Sequence, residues 1–454
     1  MNSVTHVSAL VLFIALTPAV ASAEAARPAW VDTLEVSGGV ITAEGDGPPF
    51  WMLANQRGRV SNDSGSGIYT RLVVVKDAEA DAGLDWTYGM DVTARTSGSP
   101  DLLWTEAYAG LAYKNVRLTI GNKAELFGLG DPVLTLGSEV YSRNAPTIPK
   151  IALSTDGYVG ITDWLAYKAY LAHGWMGDGA LVKDAYLHQK YLYVRFGGTD
   201  PDHGVNVHVG LHDLAVWGGE SNPSGAGDFV DVVFGNDGGD DATLSDQRNA
   251  LGDHRGTIEF ALELKGPGRD GLLYAQTLFE DGSGTRFWYP GDYLLGASLI
   301  NKDPDSWMAR VNIEYLDTRS TGNSPSGPDD YLTNSEYGGW VYEGFAIGHP
   351  FIRFLKGANG AYEPQNRVRG MNGSLLMTLG ALVNPLVRVA WIENRGSFAD
   401  PLPEDEQTSI LAFDLSNTTN FGPGWSLIQQ ISLDTGDAID PNLAIRFTLT
   451  KRIR

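Results

Sequence analysis

Segments in which apolar and polar residues alternate, each about as long as a β-strand, run along the whole chain, and they constrain the fold more than any other feature. They include residues 86–93, 116–120, 205–212, 309–315, 387–391 and 443–450. In 205–212, one face carries only Val and Leu, while the other carries Asn206, His208 and His212. A period of two residues indicates strands with one apolar face and one polar face.

Two architectures give this alternation, a soluble β-sandwich and a transmembrane β-barrel. Charged residues and His on the polar face of the strands favour the barrel, because its lumen can hold water. Segment 443–450 also lies at the end of the chain, where a last strand would close a barrel against the first. We therefore predict an all-β fold, a transmembrane antiparallel barrel of about 16 to 18 strands. The sandwich is the less favoured alternative.

The N-terminus predicts export across the inner membrane. An apolar run from Val7 to Val20 is followed by Ala21-Ser22-Ala23, with small residues where signal peptidase reads the chain. We expect residues 1–23 to be a cleaved signal peptide and residues 24–454 to form one outer-membrane barrel of a Gram-negative bacterium. No later stretch approaches the ~20 apolar residues that a membrane-spanning helix needs.

Charge and composition argue against several function classes. The formal net charge is −22, so we expect no nucleic-acid partner, because phosphate binding needs a basic patch. The chain has no Cys, which excludes a thiol nucleophile and thiolate metal sites. The common hydrolase, zinc-protease and P-loop motifs do not occur, so an enzyme is the least favoured function. We expect no cofactor and no metal site, and we read 235–241 as a flexible turn rather than a calcium turn.

Several segments interrupt the strand pattern. We expect a short helix from Asp241 to Gly252, placed in the lumen or over its mouth because irregular backbone is not tolerated against lipid. Residues 127–161 alternate poorly and contain three prolines, which indicates a loop or a plugging element. Residues 318–336 and 397–407 are polar and are expected to form long extracellular loops.

Further segments resemble a known family. The most specific is 245–256, Ser-Asp-Gln-Arg-Asn-Ala-Leu-Gly-Asp-His-Arg-Gly. Others, in the same order along the chain, are 48–58, 187–195, 210–219, 276–284, 314–318 and 339–350. Together they cover most of the chain from about residue 48 to residue 352, and they resemble the capsule assembly Wzi family of outer-membrane proteins.

The resemblance implies an outer-membrane barrel of about eighteen strands, occluded by short helical plug segments. It also implies a lectin-like, non-enzymatic role, in which the barrel holds capsular polysaccharide or exopolysaccharide at the cell surface. In that light, a set of residues is interpreted as structural residues of the lumen or plug. They are His188, Trp217, Asp246, Gln247, Asn249 and His254.

Aromatic rings and cations in the loops are our candidates for sugar contacts. Rings stack on sugar faces, and an acidic chain needs local cations to bind an anionic polymer. The candidates are Arg286, Trp288, Tyr289, Arg319, Trp340 and Lys356. The alternative for each ring is the aromatic girdle at the membrane interface. A divalent cation that bridges chain and polymer is a further alternative.

Two functions from different classes are compatible with this barrel. We expect a barrel that binds capsular polysaccharide or exopolysaccharide and helps to assemble or retain it through repeated weak contacts. Its expected partners are the polysaccharide, outer-membrane lipid and the capsule export machinery. The alternative is a porin for small solutes, and ion conductance distinguishes the two because a plugged barrel does not conduct.

Overall fold

The computed structural model describes most of the chain after residue 30. The described residues are 31–45, 47–62, 64–79, 83–97, 101–220, 222–240, 242–243, 247, 250–280, 291–320, 330–357, 362–380, 382–404, 407–437 and 439–453. The helices are α1 (Phe50–Leu53) and α2 (Ala226–Phe234). Among the described residues, no helix has the length and apolar character that crossing a membrane requires.

Strands dominate the described residues. The first part of the main sheet contains β1 (Thr33–Ala43), β2 (Gly67–Lys76), β3 (Leu84–Arg95), β4 (Asp101–Tyr113), β5 (Val116–Asn122), β6 (Lys150–Thr155), β7 (Val159–Thr162), β8 (Leu165–Gly177), β9 (Ala185–Phe196), β10 (Gly204–Trp217), β11 (Asp253–Lys265), β12 (Arg269–Phe279), β13 (Tyr293–Asn301) and β14 (Met308–Asp317). Three small hairpins follow, formed by β15 (Thr333–Asn334), β16 (Gly338–Gly339), β17 (Val341–Tyr342), β18 (Phe345–Ala346), β19 (Arg353–Lys356) and β20 (Tyr362–Gln365). The main sheet ends with β21 (Val368–Met377), β22 (Pro385–Asn394), β23 (Thr408–Asn420), β24 (Trp425–Asp437) and β25 (Ile439–Ile453).

The main sheet closes on itself as an antiparallel barrel. The last strand, β25, pairs with the first strand, β1, from Leu34 opposite Ile453 to Ala43 opposite Ala444. β6 and β7 both pair with β8, one after the other along its length, so they occupy one position in the barrel. The barrel therefore has eighteen strand positions, which confirms the predicted fold and the closing role of the C-terminal segment.

Residues alternate between the two faces of the barrel wall as the sequence predicts. In β10, Val205, Val207 and Leu211 are exposed on the outer face, whereas His208 and His212 are buried on the inner face. Outward apolar residues are expected in a barrel that meets lipid, and inward polar residues are expected in one that surrounds a polar lumen.

The connections between strands differ at the two ends of the barrel. At one end they are short, such as the two residues between β4 and β5, and the terminal strand ends also lie there. At the other end, the connections 280–292 and 395–407 are of intermediate length, and the four longest are 44–66, 123–149, 218–252 and 318–367. Because outer-membrane barrels have short periplasmic turns and long extracellular loops, we assign the long connections to the extracellular end.

Three of the long connections, 44–66, 123–149 and 318–367, fold into the lumen and form a plug. One apolar core joins plug residues such as Trp51, Tyr141 and Phe351 to inward-facing wall residues. The plug also bonds to the wall, since the Trp51 indole donates a hydrogen bond to the Ala412 carbonyl (3.1 Å). The expected plugging element at 127–161 is therefore correct as far as residue 149, but beyond it the chain forms wall strands β6 and β7, because these residues pair with β8.

The fourth long connection, 218–252, lies on the outside of the barrel. Phe229 of α2 packs against His173 and Trp217, which are on the outer face of the wall. The expectation of a helix from Asp241 to Gly252 is wrong where this segment is described. Ala242, Thr243, Gln247 and residues 250–252 are not helical, and Ala250 pairs in a bridge with Asp237. The helix of this connection is α2, upstream of the predicted position.

Candidate functional site

A cavity of about 600 Å³ lies at the extracellular end of the lumen, between the plug and the wall. We call it the mouth cleft. It is lined by Pro48, Phe50, Leu53, Ala54, Ser61, Asn62, Arg95, Asn144, Glu343, Gly344, Phe345, Ala346, Pro350, Ile352, Arg353, Phe354, Leu355, Lys356, Tyr362 and Asp434. All three plug connections contribute to this lining, so the cleft exists only when the plug is assembled.

Two hairpins of the 318–367 connection shape one side of the mouth cleft. β17 and β18 are joined by Glu343 and Gly344, both of which have positive φ angles (51° and 80°). Positive φ at both central residues is the type I′ turn that suits two-residue hairpins, and Gly adopts it without strain. β19 pairs with β20 from Arg353 opposite Gln365 to Lys356 opposite Tyr362.

The opposite side of the mouth cleft is formed by α1 and the residues after it. The Phe50 backbone N–H donates a hydrogen bond to the Asp434 carboxylate of the wall (2.8 Å), which holds the start of α1. The Asn62 side-chain amide donates to the Gly344 carbonyl (3.2 Å). These bonds tie α1 to the wall and the residues after it to the β17–β18 hairpin.

Three cations line the mouth cleft, Arg95, Arg353 and Lys356. Arg95 is engaged, because it bonds to the Gly58 carbonyl and forms an ion pair with Asp101 (2.8 Å). Among the described residues, Arg353 and Lys356 have no ion-pair partner within 4 Å. Burial lowers the pKa of the Arg353 guanidinium, an effect that the charge of Asp434 opposes. Arg353 is thus a partly desolvated cation that an incoming anion or hydroxyl group could satisfy.

Aromatic rings lie next to these cations. Phe345, Phe354 and Tyr362 line the mouth cleft and are only partly buried. Asn62 and Asn144 add amide groups, although both already donate to backbone carbonyls of the β17–β18 hairpin. Partly exposed rings beside polar donors are a combination that can stack on and hydrogen-bond to a sugar.

The predicted sugar-contacting residues do not converge on this cleft. Lys356 lines it and is exposed. Trp340 is buried in the plug at 2% exposure, where its indole donates to the Val140 carbonyl (2.7 Å), so no face of this ring is open in the structure. Arg319 lies at the extracellular end of β14, paired with Asp317. The remaining candidates, Arg286, Trp288 and Tyr289, lie outside the described residues.

The residues interpreted as lining the lumen are placed differently. The Gln189 side chain faces inward, because it bonds to Lys150 and His212, so its neighbour His188 must face outward. Trp217 and His254 lie on that outer face too, beneath the connection that contains α2. The lumen assignment is therefore wrong for His188, Trp217 and His254. The reason is that neighbouring residues of a strand face opposite sides of the wall. Similarity of a sequence segment to a family does not reveal which side each residue faces.

The rest of that predicted set lies in the 218–252 connection itself. Gln247 donates hydrogen bonds to the carbonyls of Asp240 and Ala242 (3.3 and 2.8 Å). Asp246 and Asn249 lie outside the described residues. Gln247 therefore holds the outer connection together and does not contact the lumen.

Sequence reasoning missed Arg95, Arg353, Phe354 and Tyr362. Arg353 and Phe354 stand beside Lys356, and this short cationic and aromatic run could have been noticed. Arg95 ends a strand about 260 residues earlier in the chain, and no local signal connects it to the others. Within the described ranges, no group of three or more His, Cys, Asp or Glu side chains is arranged to hold a metal ion.

Comparison with solved structures finds an outer-membrane protein with the same fold. It is Escherichia coli Wzi, described as a carbohydrate-binding β-barrel involved in group 1 capsule assembly. It matches with a TM-score of 0.61 at 13% identity, over 97% of this chain and 87% of that chain. Pseudomonas aeruginosa OccK3 matches with a TM-score of 0.47 at 11% identity, over 93% of this chain and 94% of that chain.

Comparison with sequences gives a second, independent result. Among curated protein sequences, none matches this chain. The family model for capsule assembly protein Wzi matches residues 54–357, which is more than half of the chain. These residues begin directly after α1 and include most of the plug connections, the wall strands between them and most of the mouth cleft. The chain therefore belongs to the Wzi family of capsule assembly proteins.

Proposed function

We propose that this protein binds extracellular polysaccharide in the mouth cleft and helps to assemble or retain it at the cell surface. The observation that carries the proposal is the composition of the cleft at the extracellular end. Arg353 and Lys356, without ion-pair partners among the described residues, lie beside the partly exposed rings of Phe345, Phe354 and Tyr362. The description of E. coli Wzi as a carbohydrate-binding barrel supports extending this role to the present chain.

In the proposed mechanism the protein binds and holds the polysaccharide and breaks no covalent bond. A sugar ring would stack on an aromatic side chain, and the Arg353 guanidinium would hydrogen-bond to its hydroxyl or carboxylate groups. One site would bind weakly. A polymer presents many copies of the same unit to many barrels, so retention would arise from the summed contacts.

The first test measures where the polymer goes. In a strain without this protein, we expect total polysaccharide to be unchanged and the share released into the medium to rise. The double variant R353A/Y362A should reproduce that shift, with site affinity lowered by roughly fivefold to tenfold. The matched control is R452A, an exposed arginine at the periplasmic end that pairs with Glu35. Unchanged partition in the deletion strain would remove the retention role.

The alternative function, a porin, predicts that ions pass through the barrel, whereas a plugged barrel does not conduct them. The plug packs against inward residues from many wall strands, which favours a lumen closed to solutes. The least favoured alternative, an enzyme that acts on the polymer, would require turnover that is lost when one defined side chain is replaced.

We also propose the route by which the protein reaches the outer membrane. A signal peptide cleaved after Ala23 would leave residues 24–454 as one barrel domain, and N-terminal sequencing of the purified protein would test the cleavage site.

Outer-membrane lipid would surround the apolar outer face. Capsule export machinery would deliver the polymer, and crosslinking from the extracellular connections in intact cells would identify that partner.

A further inference from the structure

A group of arginines lies at the extracellular rim of the barrel, on its outer face. We call it the rim patch. It consists of Arg319, Arg367, Arg369 and Arg395, with the carboxylates Asp317 and Glu393 between them. Val368 and Ile392 are buried in the core that faces the plug. Because side chains alternate along a strand, the neighbours of these two residues point outward.

Contacts within the rim patch join three adjacent strands and the connections that follow them. Glu393 of β22 pairs with Arg369 of β21 (2.6 Å) and with Arg395 (2.7 Å). Arg319 is bidentate on Asp317 (2.8 and 2.6 Å) and lies 3.7 Å from Glu393. The two carboxylates thus hold the guanidinium groups of Arg319, Arg369 and Arg395 in a fixed arrangement, while the Arg367 guanidinium stacks over the Phe398 ring (4.1 Å).

Cations outnumber carboxylates in the rim patch, although the whole chain carries a net charge of −22. A third carboxylate, Asp330, lies near Arg367 but accepts hydrogen bonds from the backbone N–H groups of Phe398 and Ala399. Burial lowers the pKa of Arg367, and the neighbouring charges of Arg395 and Arg319 lower it further. Like charges packed this closely repel one another, and a bound anion would relieve that repulsion.

The rim patch lies directly above the membrane-facing surface of the same strands. The Arg369 guanidinium stacks over the Trp391 ring (5.2 Å), and Tyr315 donates to Asp317 (3.0 Å). Met371 lies between these rings in register, and below them Ile313 and Val389 are exposed on the outer face. Aromatic rings above an apolar band mark the membrane interface, so the guanidinium groups stand at the height of the lipid headgroups.

From this geometry we propose that the rim patch binds the phosphate groups of an anionic lipid in the outer leaflet. The fitting ligand is the diphosphorylated lipid anchor of lipopolysaccharide, whose acyl chains would lie along the apolar face below. Guanidinium groups bind phosphate oxygens in a bidentate manner, and a fixed cluster loses little freedom on binding. A lipid is favoured over polysaccharide because the rim patch and the mouth cleft lie on opposite faces of the wall.

The test uses the full-length protein in zwitterionic detergent micelles, titrated with lipid A. Bound lipid is counted by native mass spectrometry. We expect the wild type to bind diphosphorylated lipid A at least about tenfold more tightly than the same lipid without its phosphates. R369Q/R395Q should lose this preference. The matched control R117Q/R452Q changes two ion-paired arginines at the periplasmic end and should keep it.

Equal affinity for the two lipids, measured on the wild type alone, would overturn the proposal even if a variant failed to fold. R395Q provides a second, milder variant, since Arg395 is the most exposed of the three arginines that pair with Glu393. Displacement of lipid A by inorganic phosphate at the same concentration would indicate a free-phosphate site instead. Displacement by polygalacturonate would indicate a polymer site. Either displacement contradicts the lipid assignment.

Discussion

Two buried carboxylates of the barrel wall hold the 123–149 connection in the lumen. Glu314 of β14 accepts hydrogen bonds from the Leu136 backbone (2.9 Å) and the Thr135 hydroxyl. Glu259 of β11 accepts one from the Leu129 backbone (2.7 Å). A buried backbone N–H group without an acceptor is costly, so these carboxylates offset a cost that would otherwise oppose the packing of the plug.

A third buried carboxylate, Glu139, lies in the plug itself. Its side chain is fully buried, and among the described residues neither carboxylate oxygen has a hydrogen-bond partner. Burial raises the pKa of Glu139 well above the usual 4.5, and the charges of Asp292 and Glu259 raise it further. The folded protein therefore holds the protonated acid at pH values where the unfolded chain has released the proton.

The sign of the pH effect follows from proton counting. Above pH 4.5 the folded state binds more protons at Glu139 than the unfolded state does, so its contribution to stability falls as pH rises. The substitution E139Q removes the titrating carboxyl group and with it this pH-dependent contribution to stability. We expect the variant to be more stable than the wild type at pH 8 by about 1 to 3 kcal/mol and nearly equal to it at pH 5.

Thermal unfolding in detergent at the two pH values measures this difference. E363Q is the matched control, because Glu363 is exposed on β20 and should change little at either pH. A stability gain of E139Q that is the same at pH 5 and pH 8 would contradict the assignment of Glu139 as the titrating group.

Among the elements, β25 is the last strand in the chain, and it closes the barrel. It pairs with β24 on one side and with β1 on the other. Without it, both neighbours would present unpaired backbone groups to lipid, where each unsatisfied group costs several kcal/mol. Barrel closure therefore requires the last strand as much as it requires every other position in the wall.

We expect a chain truncated after Asp437 to lose the folded barrel. Folded outer-membrane barrels migrate differently on gels before and after heating, so the truncated chain should show no heat-dependent shift. The control replaces the 397–407 connection with a short Gly-Ser linker, which leaves every barrel strand in place. A full mobility shift in the truncated chain would show that β24 and β1 can close the barrel on their own.

At the scale of the whole molecule, the extracellular connections have separate roles. Three of them fill the lumen and build the mouth cleft, and the fourth covers the outer wall of β8 to β11. The chain is also strongly acidic, yet cations lie close together in the mouth cleft and in the rim patch. Each place faces a different surrounding, the extracellular space in one case and the lipid headgroups in the other.

The filled lumen predicts negligible ion conductance. Full-length protein in a planar bilayer should give no stable open steps, whereas a variant with residues 330–357 replaced by a Gly-Ser linker should give them. Replacing 222–240 instead removes α2 from outside the barrel and should leave the lumen closed. Stable open steps from the full-length protein would favour the porin alternative.

Much of the wall could be predicted from residues close together in the sequence. Val205, Val207 and Leu211 face outward and His212 faces inward, as their spacing requires, because lipid and lumen impose a period of two on every strand. The plug was foreseen only in outline. Its residues do not alternate, and their neighbours come from distant parts of the chain, as in the contact between Trp51 and Ala412.

The sequence by itself determined which segments form strands and which face of each strand is apolar, and it limited the strand number to a narrow range, because a two-sided environment leaves a regular local pattern in every strand. The tertiary structure alone decided which side chains meet. It buried Trp340 within the plug, brought Arg95 and Arg353 into one cleft, and turned His188 to the outer face beneath α2. The physical reason is that connections carry no periodic constraint, so their positions depend on packing between segments far apart in the chain.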